Sequence, residues 1–295
     1  MHRVRRFLRS VVLFPMSFAS AYARILASVR PTLAASWSDE VYEWTQSIKK
    51  TVLHESGCGP IQMAFFTPNA VCRYRAETFS DKEPETLEWI ERFGGTGAFF
   101  DVGANIGLYS VYYAMAHPGA VYAFEPSVLN LALLAKNISA NGLSDRIVIV
   151  SSPLTSVNQI APFHLSSLHE GGALSTFGAD YGHDGQPLAV QMSFATLGFS
   201  LDFLIESGVI SDLPALLKID VDGIEHFILQ GSINTLSSPA LKSILIEVNE
   251  DFGVLARSVE ETLTDAGFYL FERRHSEMTE TGQFSHTFNQ IWVRE

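Results

Sequence analysis

Cysteine is nearly absent: 295 residues hold only Cys58 and Cys72, and no C-x-x-C pair. That excludes a disulfide framework and a zinc ribbon, and the expectation is two buried thiols in a reducing compartment. No apolar run approaches the ~20 residues that a bilayer-spanning helix requires. Acids are missing before Asp39, where Arg3, Arg5, Arg6, Arg9, Arg24 and Arg30 lie, and bases are scarce after it, 14 against 32 acids. With a formal net charge of −12, the body lacks the basic face of a general nucleic-acid phosphate binder, so no nucleic-acid partner is expected. There is no internal repeat and no long low-complexity tract. What is present is 47% hydrophobic and 18% charged residues, enough to bury a sizeable core in one large or two ordinary domains.

Three regions follow from the patterning. Residues 1–36 form a basic amphipathic arm, its apolar stretch broken by Pro15 and too short to span. Its fate stays open between an interfacial helix on anionic lipid, a signal peptide cleaved near Ala19-Ser20-Ala21, and a segment packed on its own domain. Residues 37–97 read as a lead-in. Val41, Trp44 and Ile48 mark a short helix. Ile61–Phe66 and Ala70–Arg75 suggest a hairpin about Thr67-Pro68-Asn69, and Pro84 opens a helix through Phe93 whose Leu87, Trp89 and Ile90 face the core. Residues 98–295 alternate strands and helices, apart from a polar, glycine-rich insertion near 151–199 that suits a lid or an acceptor-binding loop. In the insertion, His164, His169 and His183 lack metal-ligand spacing and are read as solvated. Ser258 and Glu261 suggest a capping box for a late helix. The fold class expected is α/β, a doubly wound, mostly parallel seven-stranded sheet with an N-terminal helical extension.

The centre of this pattern is residues 98–126. Ala98–Val102 reads as a buried strand, Gly103-Ala104-Asn105-Ile106-Gly107 as a turn, Leu108–Ala116 as a helix and Ala120–Phe124 as the next strand, ending at Glu125. Turn glycines admit a ligand close to the backbone, and a helix N-terminus favours a negative group. An acid at the tip of the second strand can accept both hydroxyls of a ribose. A dinucleotide fingerprint would need G-x-G-x-x-G, but here Asn105 and Leu108 occupy the second and third glycine positions.

A second constellation is KIDVDGIE, residues 218–225, where Asp220, Asp222 and Glu225 gather at a strand end, with His226 next to them. The following strand ends in Glu247. Lys218, a charge inside an apolar strand, needs a buried partner.

Together FFDVGANIGLYS (99–110), VYAFEPS (121–127), KEPETLEWI (82–90), LLKIDVDGIE (216–225) and ILIEVN (244–249) resemble the FkbM family of class I S-adenosylmethionine-dependent methyltransferases over roughly residues 65–250. The resemblance implies S-adenosyl-L-methionine as donor and a hydroxyl-bearing small molecule or glycan as acceptor. By position, Asp101, Gly103, Asn105, Gly107 and Glu125 match the donor motifs, while Lys218, Asp220, Asp222 and Glu225 match the second block, with Asp222 where glutamate is more usual. Asp220 is the first candidate for the base, with His226 and Glu247 behind it. The crowded carboxylates require compensation, by a proton or Lys218 in the favoured version, or by a divalent metal on Asp220, Asp222 and Glu225 in the other. A cytoplasmic protein, in peripheral membrane contact if the arm binds lipid, follows from a donor made in the cytoplasm. A non-catalytic donor-binding or membrane-associated scaffold is the competing reading, and a nucleotide-linked oxidoreductase the third.

Overall fold

The computed structural model describes residues 19–294 except 20, 26, 29, 276, 277, 279 and 280. The chain divides into two units between Ile48 and Lys49. In the first, Pro31 opens helix α1 (Pro31–Ser47), which leaves Tyr42 and Trp44 largely exposed. Residues 1–18, with the basic leader of the N-terminal arm and most of its apolar stretch, fall outside the described residues. Among the described residues no helix is long and apolar enough to cross a membrane.

The second unit opens with a hairpin displaced from the one expected. Strands β1 (Lys49–Ser56) and β2 (Gly59–Phe66) pair antiparallel about Gly57 and Cys58, and Cys58 is exposed rather than buried. Ala70–Arg75 is not a strand: Asn69 Oδ1 accepts the Cys72 amide at 2.9 Å and caps helix α2 (Ala70–Glu77). An N-cap asparagine outweighed the short apolar alternation that suggested a strand. A short helix α3 (Phe79–Lys82) and helix α4 (Pro84–Phe93) follow, and Leu87, Trp89 and Ile90 are buried as expected.

The main sheet has seven strands in the order β11-β12-β10-β9-β3-β4-β5. These are β3 (Ala98–Val102), β4 (Val121–Phe124), β5 (Ile147–Val150), β9 (Pro214–Ile219), β10 (Ser243–Asn249), β11 (Tyr269–Arg274) and β12 (Thr287–Val293). All neighbouring pairs from β5 to β10 are parallel, and β12 runs antiparallel between β10 and β11. Helices α5 (Leu108–Ala116) and α6 (Val128–Ala140) make the crossovers. Alternation along the strands sends side chains to two cores. Phe99 packs with Trp89 and Tyr113 on one face, and Phe100 with Leu217, Ile246 and Trp292 on the other. This is the doubly wound α/β sheet that the alternation predicted.

The glycine-rich insertion is more ordered than a bare loop. Strands β6 (Gln159–Leu165), β7 (Ser175–Phe177) and β8 (Met192–Gly198) form a small antiparallel sheet in the order β7-β6-β8. Short helices α7 (Leu201–Glu206), α8 (Glu225–Gln230) and α9 (Ile233–Ser237) intervene before β10. The expected capping box does not form, because helix α10 (Gly253–Asp265) starts five residues ahead of Ser258.

Candidate active site

The turn after β3 explains the spacing of its glycines. Gly103 has φ +87°, and a Cβ there would lie 1.9 Å from the Asp220 carbonyl oxygen, so the turn nests against the end of β9. Asn105, at φ +53°, donates its amide to Glu125 Oε2 at 2.8 Å, while the Ser127 amide reaches Glu125 Oε1 at 2.7 Å. The carboxylate is thus aimed by two backbone donors from two strand ends. Burial still pushes its pKa up to about 7 against those hydrogen bonds. Asp101 does not join Glu125. It is buried behind the turn, where Oδ2 accepts the Ser110 hydroxyl at 2.6 Å and Oδ1 has no partner among the described residues. Burial raises its pKa, and the charge of Lys218 opposes that.

A cavity of about 200 Å³ runs along the carboxyl ends of the strands. Phe124, Pro153, Leu154, Phe163, Phe177 and Ile228 supply apolar wall, and Gly103, Asn105 and Glu125 the turn. Asp220, Asp222 and Glu247 line it further along the sheet, with Glu85, Thr287 and Asn289. Strands β4, β3, β9, β10 and β12 are consecutive neighbours, and neighbours lie about 4.8 Å apart, so Glu125 and Asn289 bracket a row of roughly 19 Å.

The carboxylates named from the sequence have separate fates. Lys218, fully buried, donates to Asp220 Oδ2 at 2.7 Å, so the in-strand cation has its partner. Burial alone would depress the ammonium, but Asp220, Asp101 and Glu83 around it hold its pKa above the usual lysine value. Asp222, at φ +65°, accepts the Leu174 amide at 2.6 Å, and burial then Asp220 raise its pKa to about 6. Glu225 turns away from the cavity and takes the amides of Val221 and Gly223, at 3.1–3.2 Å. His226 likewise does not line the cavity and packs on the Phe227 ring at 4.0 Å. Glu247 does line it, and burial followed by repulsion from Asp220, Asp222 and Glu83 pushes its pKa well up. Among the described residues no three His, Cys, Asp or Glu side chains stand as a metal-holding group, so the trio Asp220, Asp222 and Glu225 does not converge. The physical reason is that backbone amides have captured Glu225.

Several lining groups escaped sequence reasoning. Residues 170–174 lie as a strap against the site. Asn69 Nδ2 and Cys72 Sγ donate to Glu170 O, Arg75 Nε to Gly171 O, and Asn105 and Asn130 Nδ2 to Gly172 O. His183 packs against the Phe284 ring, centroids 4.8 Å apart and planes tilted by 38°, rather than being simply solvated. Glu83 accepts from Lys82 and from the Tyr109 hydroxyl. Burial would raise its pKa, but Lys82 and Lys218 hold it low. Glu85 Oε1 accepts from Asn289 Nδ2 at 2.8 Å, while Glu85 Oε2 and Thr287 Oγ1 have no partner among the described residues. The one signal available for these was KEPE at 82–85, which carries three charges into the start of an apolar helix.

A seven-stranded sheet with this order, one reversed strand, a glycine turn after β3 and an acid closing β4 define a Rossmann-like class I methyltransferase fold. The chain belongs to the FkbM methyltransferase family: residues 101–270, more than half of it, match the family described as Methyltransferase FkbM domain. It is similar to the 31-O-demethyl-FK506 methyltransferase FkbM of Streptomyces tacrolimicus, 29% identical over 180 residues that cover 54% of this chain and 68% of that protein. Among solved structures it is similar to a methyltransferase FkbM from Methylobacillus flagellatus, with TM-score 0.48, 14% identity, and coverage of 77% of this chain and 53% of that one. It is also similar to fibrillarin of Aeropyrum pernix, solved with natively bound S-adenosyl-L-methionine, with TM-score 0.41, 11% identity and coverage of 68% and 67%. The chain therefore spans about half the length of the Methylobacillus structure it matches.

Proposed function

We propose that this protein is an O-methyltransferase that uses S-adenosyl-L-methionine to methylate a hydroxyl of a sugar or another neutral, hydroxyl-bearing acceptor. The observation that carries the reading is that Glu125, Asp220 and Glu247 line one cavity. The residues present fit the donor. One backbone amide reaches each Glu125 oxygen, and a carboxylate has about four lone-pair sites, so acceptor capacity remains for ribose hydroxyls. Phe124, Leu154 and Phe177 offer an apolar wall to a purine, and the turn at Gly103–Asn105 leaves backbone room for the amino-acid end. When bound, the donor supplies a methyl group already activated on a sulfonium.

What the chain adds is alignment and proton handling. Asp220, anchored by Lys218 and 27% exposed, takes the proton of the acceptor hydroxyl as its oxygen gains the methyl carbon. Glu247, whose carboxyl is pushed toward its neutral form by burial and by the acids around it, hydrogen-bonds the acceptor from the cavity wall. Glu85, Thr287 and Asn289 receive neighbouring hydroxyls. The predominance of carboxylates over cations in the lining favours a neutral acceptor over an anionic one, nucleic acid included. Lys218 takes over the charge compensation that a divalent ion would otherwise give.

The test is Asp220→Asn with a methyl-labelled donor and a panel of neutral glycosides. The variant is expected to bind S-adenosylhomocysteine as the wild type does and to lose methyl transfer by about 10²-fold or more. Retained turnover would move the base elsewhere, and loss of turnover on addition of EDTA would restore the metal version.

A further inference from the structure

Arg75 stands out among the groups lining the cavity, because its hydrogen-bonding capacity is mostly unspent. Helix α2 carries it to the cavity beside Gly103, Asn105 and the strap. Its Nε donates to Gly171 O at 2.7 Å, and its terminal nitrogens make no hydrogen bond or ion pair with any described residue. A guanidinium has five N–H donors in a planar fork, so four remain to be satisfied, and they match a carboxylate bidentately. Lys82, the other lysine or arginine of the lining, is already paired with Glu83.

The local charge balance sharpens the point. Glu83, Glu85, Glu125, Asp220, Asp222 and Glu247 all line the cavity. A ligand carboxylate entering this lining meets repulsion nearly everywhere, and it is tolerated only beside an uncommitted cation. Arg75 supplies that cation at the glycine turn, where the small second pocket also gathers Gly103, Ala104, Asn105, Lys218 and Asp220. A zwitterionic amino-acid head is the ligand chemistry that uses both features, its carboxylate on the arginine fork and its ammonium among the acids.

We infer that Arg75 binds the α-carboxylate of the donor's methionine portion and sets the selectivity of the site for donors that carry an amino-acid head. The inference rests on the donor reading above and extends it to a residue outside the 101–270 stretch shared with the family. It also gives the strap a second purpose, since Gly171 O holds the fork by Nε and leaves its outer edge to the ligand.

Calorimetry of the full chain with two probes separates this role from a structural one. S-adenosylhomocysteine carries the amino-acid head, and 5′-methylthioadenosine lacks it but keeps the purine, ribose and sulfur. Arg75→Ala is expected to weaken S-adenosylhomocysteine at least tenfold and to leave methylthioadenosine within twofold. Arg75→Lys, a point charge without the fork, is expected to fall between wild type and Arg75→Ala. If Arg75→Ala weakens both probes alike, the arginine acts only by holding Gly171, and the inference fails while the donor reading stands. Unchanged affinity for both probes overturns it equally. If the wild type binds neither probe, the donor reading itself falls and takes the inference with it.

Discussion

Lys218 and Asp220 sit two residues apart at the end of β9, and the buried ammonium donates to the carboxylate at 2.7 Å. The pair joins the sheet interior to the cavity, because Lys218 also faces the buried Asp101 and Glu83 while Asp220 lines the site. Removing one member of such a cluster leaves the others uncompensated. Lys218→Met should therefore lower unfolding free energy by about 3–5 kcal/mol, measured by urea titration. A loss below about 1 kcal/mol would mean that the acids relax into solvent and that Lys218 is no keystone.

Glu125 should make donor binding pH-dependent. In the free protein burial holds its pKa at about 7, and hydrogen bonds from two ribose hydroxyls favour the charged form. Binding then releases a proton below that value, so S-adenosylhomocysteine should bind more weakly at pH 6 than at pH 8. Glu125→Gln should flatten the profile, and Glu125→Ala should cost roughly ten- to a hundredfold in affinity, the worth of about 1.5–3 kcal/mol of charge-assisted hydrogen bonding. A pH-independent wild type would remove Glu125 from the ribose.

Glu225 offers a stability signature with a definite sign. Burial raises its pKa to about 7 in spite of its backbone amide partners, above its ordinary value of 4.5. Between these two values the folded chain holds a proton that the unfolded chain has released, so this group's contribution is fully present below pH 4.5 and is lost as the pH rises through 7. The stability of the wild type relative to Glu225→Gln should decline across that window by an amount on the order of a few kcal/mol. A difference that is flat, or that grows with pH, would show that Glu225 ionises freely in the folded state.

Asp222 pins the strap, accepting the Leu174 amide at 2.6 Å from a left-handed backbone conformation. Asp222→Ala should raise hydrogen exchange at Leu174 by about tenfold or more while leaving the amides of β9 protected. Asp222→Asn, which keeps an acceptor and tolerates the positive φ, should fall well short of that. Equal exchange in all three proteins would assign the strap's order to its other anchors.

The sequence alone determined the sheet, its central crossover and the glycine turn that opens it. Those features are written over short spans: a buried strand, a glycine turn, a helix and an acid within residues 98–126. Periodicity and turn chemistry act at that range. It also determined that Lys218 needed a buried partner, since a charge inside an apolar strand has no other stable state. It misplaced the first hairpin because Lys49–Ser56 hides its alternation under polar residues, while Ala70–Arg75 mimics a strand until Asn69 caps it. The tertiary structure decided the rest. Asp220, Asp222 and Glu225 are equivalent carboxylates in KIDVDGIE, yet only the folded backbone turns two toward the cavity and buries the third on its own amides. Arg75, Glu85, Asn130 and Asn289 come from distant parts of the chain and meet there because the strand order brings their elements to one edge of the sheet. Ionisation was settled at the same level, because a carboxylate's pKa depends on its burial and on the charges that fold against it.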